Sequence, residues 1–73
     1  MNLRILGIDP GYAIVGFGVL DYDGRDFSVV NFGAITTPAG MDFEDRLEII
    51  YRDMNEVINT YHPEAMSLEK LFF

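Results

Sequence analysis

Leu6-Gly7-Ile8-Asp9-Pro10-Gly11 is the stretch that decides how this chain folds. A short apolar run ends on one carboxylate, and a turn follows at once. The run begins near Leu3 and is almost continuously apolar, which suits a central strand covered on both faces. Counting by two puts Leu3, Ile5, Gly7 and Asp9 on one face and Arg4, Leu6 and Ile8 on the other. The residue before proline is pushed to extended geometry, so Asp9 stays strand-like at the tip. Pro10-Gly11 predicts a type II turn, with proline fixing φ and glycine accepting a positive φ.

Working outward, a second strand is expected from Ala13 to Tyr22. Val15, Phe17 and Val19 share one face; Gly16, Gly18 and Leu20 share the other. The two glycines would permit close approach by another backbone or a helix. Asp23-Gly24 signals a hairpin. A third strand, Asp26 to Thr37, carries Val29, Val30, Phe32 and Ile35, with Gly33 as the expected bulge. Asp42 is the expected N-cap of a helix from Phe43 to Tyr61, and Glu44 and Asp45 suit its first turn. Phe43, Leu47, Ile50, Met54, Val57, Ile58 and Tyr61 recur at helical spacing and form one apolar stripe. Glu48 and Arg52 form an expected i,i+4 pair, and His62-Pro63 stops the helix. A last strand, Ala65 to Leu71, puts Met66 and Leu68 on one face and Ala65, Ser67 and Glu69 on the other. The order β-β-β-α-β predicts an antiparallel meander, then a helical crossover to a strand parallel to an earlier one.

Composition narrows the function. Seventy-three residues make one small domain at most, burying only ~60% of the unfolded chain's surface. Hydrophobic residues are 49% of the chain, enough to form a core. No apolar run is long enough to span a membrane, and no secretory signal is visible. Cysteine is absent, so disulfides and thiolate chemistry are excluded, and a cytoplasmic location is expected. The net charge is −7, with 12 acids against 5 basic residues. A nucleic-acid groove needs clustered Lys and Arg, so any such groove would have to lie outside these residues.

If the last strand runs parallel beside the first, their C-terminal ends coincide, and Asp9 and Glu69 become neighbours. Ligands in open α/β sheets collect at that end of the strands. Two hard carboxylates there suit Mg²⁺, and two such ions can clamp a phosphodiester. The plainer readings stand beside this. Asp before Pro-Gly is a common turn starter. Glu69 alone reads as a strand-end charge paired with Arg4 or Lys70. His62 reads as a capping or solvent residue. The acids from Asp42 to Glu48 lack the spacing of a calcium loop and read as solvated helix turns. Met41, Met54 and Met66 read as core filler.

At these residues the chain resembles the RuvC family of Holliday-junction resolvases. Ile5-Leu6-Gly7-Ile8-Asp9-Pro10-Gly11 carries the resemblance with Gly16-Phe17-Gly18-Val19, Arg46-Leu47, Ile50-Tyr51 and Ser67-Leu68-Glu69-Lys70-Leu71-Phe72. The family pattern is a GIDPG strand end, a G-[YF]-G-V strand, an R-L-x-x-I-Y helix and an E-x-[VL]-F strand end. The resemblance implies a ribonuclease H-like α/β fold. It also implies a homodimeric, Mg²⁺-dependent endodeoxyribonuclease, with Mn²⁺ as the alternative ion, that nicks four-way DNA junctions symmetrically in recombination and repair. Branch-migration motor proteins are implied partners. Asp9 and Glu69 match the family's catalytic and metal-binding acids, and Phe72 matches a DNA-binding aromatic near the junction centre. Without the resemblance, Phe72 reads as core packing or a frayed terminal aromatic. The family completes its site with two aspartates on a late helix, and these have no match in the 73 residues. Residues 1–73 are therefore expected to be the N-terminal part of one nuclease domain, inactive and self-associating alone. The alternative is a phosphate-binding domain of the actin and sugar-kinase type. Such domains usually place Thr or Ser after the turn, where this chain has Tyr12, Ala13 and Ile14.

Overall fold

Asp9 closes a seven-residue strand, β1 (Leu3–Asp9), that becomes the hub of the sheet. The computed structural model describes residues 2–11 and 13–68. β1 is followed by β2 (Ile14–Tyr22), β3 (Phe27–Thr36), one helix, α1 (Phe43–Tyr61), and β4 (Ala65–Leu68). The sheet order is β3-β2-β1-β4. β1 pairs antiparallel with β2, from Leu3 against Tyr22 to Asp9 against Gly16. It pairs parallel with β4, from Ile5 against Ala65 to Ile8 against Leu68. The meander, the helix and the parallel fourth strand stand as the sequence predicts. Residues 69–71 of the expected last strand lie outside the described residues.

The two sheet faces differ in content. Leu6, Val15, Val19 and Ile35 are the buried hydrophobic residues, with Leu6 and Val19 wholly enclosed. They alternate onto the same face, the one α1 covers. The opposite face carries Ile5, Gly7, Asp9, Gly16, Gly18 and Leu20. It stays open, with Phe27, Val29 and Phe32 largely exposed. Gly18 has nothing within 4 Å of where a side chain would begin. The glycine pair therefore marks a bare surface among the described residues, not a packed crossing.

Several local expectations need correction. The bulge falls at Val30, because Val19 pairs with Asn31 and Leu20 with Val29. Gly33 instead lies flat beneath the Phe17 ring, where a Cβ would come within 2.9 Å of Cζ. The hairpin loop has four residues, 23–26, with Gly24 at φ 97°. Its organiser is Asp23, whose Oδ1 accepts from the amides of Arg25 at 2.9 Å and Asp26 at 2.7 Å. Those amide bonds hold the Asp23 carboxyl below its ordinary pKa.

The helix begins at Phe43 and ends at Tyr61 as its periodicity predicts. Asp42 occupies the N-cap position but makes no side-chain cap bond. Arg52 turns toward Asp53 at 3.5 Å rather than toward Glu48. The apolar stripe is buried unevenly. Phe43 and Leu47 stay exposed, and Arg46 is the buried residue of the first turns. Met66 is also exposed, because β4 is an edge strand beyond the reach of α1. At the other end His62 closes the helix with its backbone, in left-handed geometry, donating its amide to Ile58 O at 2.8 Å.

Arg4 ties these parts together. Its Nε and Nη2 donate to the two Asp21 carboxylate oxygens at 2.8 and 2.9 Å. Its Nη1 donates to Tyr61 O at 3.1 Å, at the helix end. Its backbone carbonyl accepts from the Glu64 amide at 2.8 Å, and its amide donates to Glu64 Oε1 at 3.3 Å. One residue thus fixes β1 against β2, the helix C-terminus and the entry of β4. The Arg4 guanidinium bonds Asp21 on the helix-covered face, and the expected partner Glu69 lies outside the described residues.

Hydrogen bonding from Arg4 lowers the Asp21 pKa from 3.8. A carboxyl lowered on folding adds stability above its unfolded pKa and loses it as pH falls through the folded value. Asp21→Asn should therefore be less stable than the parent at pH 6 in urea unfolding, and the gap should narrow below pH 3.8. Leu6→Ala should cost about 2–5 kcal/mol in the same measurement at pH 7.

Candidate metal and nucleic-acid site

β1 delivers Asp9 to the sheet's open face at the strand's C-terminal end. Its neighbours there are small. Gly16 stands directly across on β2, and Gly7, Gly18 and Ser67 surround it. A Cβ on Gly16 would sit 3.7 Å from Asp9 Cβ, in ordinary contact. The open space over this face has a volume of about 710 Å³. Asp9 lies at one end of it, and Leu20, Phe27, Val29 and Phe32 lie toward the other.

The turn after Asp9 is not type II. Gly11 does not adopt a positive φ. It is needed for a different reason: a Cβ there would lie 2.2 Å from the Ile14 carbonyl oxygen. The chain doubles back so tightly that only glycine fits.

Asp23 shows what a structural turn aspartate does, accepting two backbone amides. Asp9 is exposed, and among the described residues no donor engages its carboxylate. Among the described residues its oxygens accept no bond that the fold needs.

Among the described residues, no group of three or more His, Cys, Asp or Glu could hold a metal ion. Asp9 is a hard oxygen donor on a rigid strand, which fits a cation that keeps several waters and takes one or two carboxylates. Glu69 and Phe72 lie outside the described residues. The β1–β4 register ends with Ile8 against Leu68, and Glu69 follows Leu68 in sequence as Asp9 follows Ile8. The acids from Asp42 to Glu48 stand on the exposed side of the helix start, as expected of solvated turns. Among the described residues no helix is long and apolar enough to cross a membrane.

The sequence reading missed two features near this site. Arg46 and Thr37 are buried, polar and bonded to each other. Arg46 lies between Phe43, Leu47 and Ile50 on the apolar side of the helix, and that interruption of the stripe was the available signal. The Arg4–Asp21 pair had a signal too, because both residues alternate onto the covered face of adjoining strands.

Comparison with known proteins agrees with this layout. The family model for the crossover junction endodeoxyribonuclease RuvC matches residues 5–73. The crossover junction endodeoxyribonuclease RuvC of Ruminiclostridium cellulolyticum is 52% identical over 69 residues, covering 94% of this chain and 42% of that protein. The chain thus spans less than half the length of such relatives. The Thermus thermophilus RuvC, solved in complex with a Holliday junction substrate, superposes with a TM-score of 0.85 at 26% identity, covering 97% of this chain and 46% of that one. A Ppx/GppA enzyme of Aquifex aeolicus shares the fold alone, with a TM-score of 0.71 at 19% identity over 96% of this chain and 27% of its own. With the match running from the first strand to residue 73, the chain belongs to the crossover junction endodeoxyribonuclease RuvC family.

Proposed function

We propose that residues 1–73 contribute the N-terminal part of a single ribonuclease H-like nuclease domain, and that the whole protein cuts four-way DNA junctions by paired symmetric nicks. The observation that carries this reading is Asp9, an exposed carboxylate that no described residue engages, on the strand end beside which β4 runs parallel. The family match and the junction-bound relative support the substrate class. A homodimer is the matching assembly, since two symmetric nicks need two sites. Branch-migration motor proteins are the proposed partners of the whole protein.

In this reading Asp9 and Glu69 hold a divalent cation, Mg²⁺ with Mn²⁺ as the alternative. When bound, the ion supplies charge neutralisation at the phosphate and activation of water. The chain's own contribution is placement. β1 is held on both edges, so Asp9 cannot shift along the sheet. Gly7, Gly16, Gly18 and Ser67 keep bulky side chains away from its open face, so a phosphodiester backbone can approach. The net charge of −7 supplies no attraction for that backbone. The basic surface that binds DNA must come from the remainder of the protein. Phe72 is proposed to stack on a base near the junction centre, where such contacts are worth ~1–3 kcal/mol.

Two measurements in the full-length protein test this. Asp9→Asn should abolish junction cleavage in gel assays while leaving junction binding within a few-fold; retained cleavage would sink the assignment. Phe72→Ala should weaken junction binding by about 5–150-fold, the equivalent of the stacking energy. Unchanged affinity would return Phe72 to a packing role.

A further inference from the structure

Arg46 and Thr37 are the buried polar residues among those described, 4% and 6% exposed respectively. A buried guanidinium is costly unless its donors are met. Arg46 Nη1 donates to Thr37 Oγ1 at 3.0 Å, and Nε donates to Met41 O at 3.2 Å. The Thr37 hydroxyl passes the bond on, donating to Ala13 O at 3.4 Å. The Thr37 amide donates to the same carbonyl at 3.0 Å. A hydroxyl can accept and donate at once, so the relay is chemically complete.

The relay ends at the far leg of the loop that leaves Asp9. Ala13 is the residue before β2 resumes, and Gly11 on the near leg lies against the Ile14 carbonyl. Pro10, Gly11 and Arg46 line one groove of about 380 Å³ between the helix and this loop. Arg46 itself is on the helix side of the sheet, while Asp9 faces the open side. Any effect it has on Asp9 must therefore travel through the loop backbone.

We propose that Arg46 and Thr37 are positioning residues that brace the loop behind Asp9 and so set how tightly this strand tip holds a divalent cation. The proposal rests on the reading of Asp9 as a metal ligand. A site with few protein carboxylates depends on each being held in place. Removing hydrogen bonds that support a ligand typically costs 10–100-fold in metal affinity. The sheet has its own ladder through Ile14 against Thr36, so the relay is not needed to register β2 with β3.

The test uses the metal-free full-length protein, titrated with Mn²⁺ alone and followed by loss of the free-ion paramagnetic resonance signal. Thr37→Val and Arg46→Met should each weaken Mn²⁺ binding by about 10–100-fold, and Arg46→Lys by less, because an ammonium can still reach the hydroxyl. Hydrogen exchange should speed up at the Gly11, Ala13 and Ile14 amides while the Leu6 and Val19 amides keep their protection. A Thr37→Val affinity within about twofold of the parent, well short of the 10–100-fold expected for a lost supporting bond, overturns the proposal. Faster loop exchange with unchanged affinity overturns it too, since a purely structural brace would give that result. If Arg46→Met loses core protection, Thr37→Val decides alone. Asp9→Asn is titrated beside them. If it binds Mn²⁺ as tightly as the parent, the metal reading of Asp9 fails. If it loses the ion while Thr37→Val does not, only the brace fails.

Discussion

The parallel register of β4 on β1 is the constraint on which the rest depends. Antiparallel neighbours can be joined by a tight turn, as β2 and β3 are. A parallel neighbour needs a long crossover, and here the crossover is α1. Once β4 lies along β1, the helix must cross one face of the sheet, and that face becomes the core around Leu6 and Val19. The other face is left for whatever Asp9 does. Arg4 enforces the arrangement from the opposite end of β1. Its contacts with Asp21, Tyr61 and Glu64 fix β2, the helix end and the start of β4 together. A one-residue slip there would swap the faces of every residue on β4.

Most of this architecture was legible in the sequence because it is written in periods. Leu3 to Asp9 and Phe43 to Tyr61 have the boundaries that alternation and helical spacing predict, and the parallel fourth strand follows from element order. The errors share a cause: they involve contacts between elements, which no local window contains. The bulge went to Gly33 because glycine is a local signal, yet Val30 bulges because of how β2 and β3 align across the sheet. Pro10-Gly11 suggested a positive φ, yet Gly11 is required by the nearness of Ile14. Arg46 was left out of the apolar stripe, yet Thr37 and Met41 give it partners that let it enter the core. Asp9 was found by its position, but that no described residue engages its carboxylate became visible only beside Asp23.

The two faces divide the work of the domain. The covered face uses large side chains and two hydrogen-bonded cations, Arg4 and Arg46, to make a stiff layer. The open face has small residues near Asp9 and large apolar ones farther away. Rigidity behind a carboxylate and clearance in front of it are opposite demands, and strand alternation lets adjoining residues meet both. Ile8 faces the helix side and Asp9 the open side, one peptide apart.

The sheet also implies an order of assembly. β1, β2 and β3 are joined by short connections and can pair as soon as they leave the ribosome. The hydrogen bonds between Arg4 and Glu64 close a separation of 60 residues, and such closure is slow relative to local pairing. During synthesis one edge of β1 therefore waits, unpaired, while the helix is made. β1 is the first of these strands to be made and gains β4, its parallel neighbour, last. That waiting edge is seven residues long and ends on a charge, Asp9, and a short, charged edge offers little for another chain to pair with.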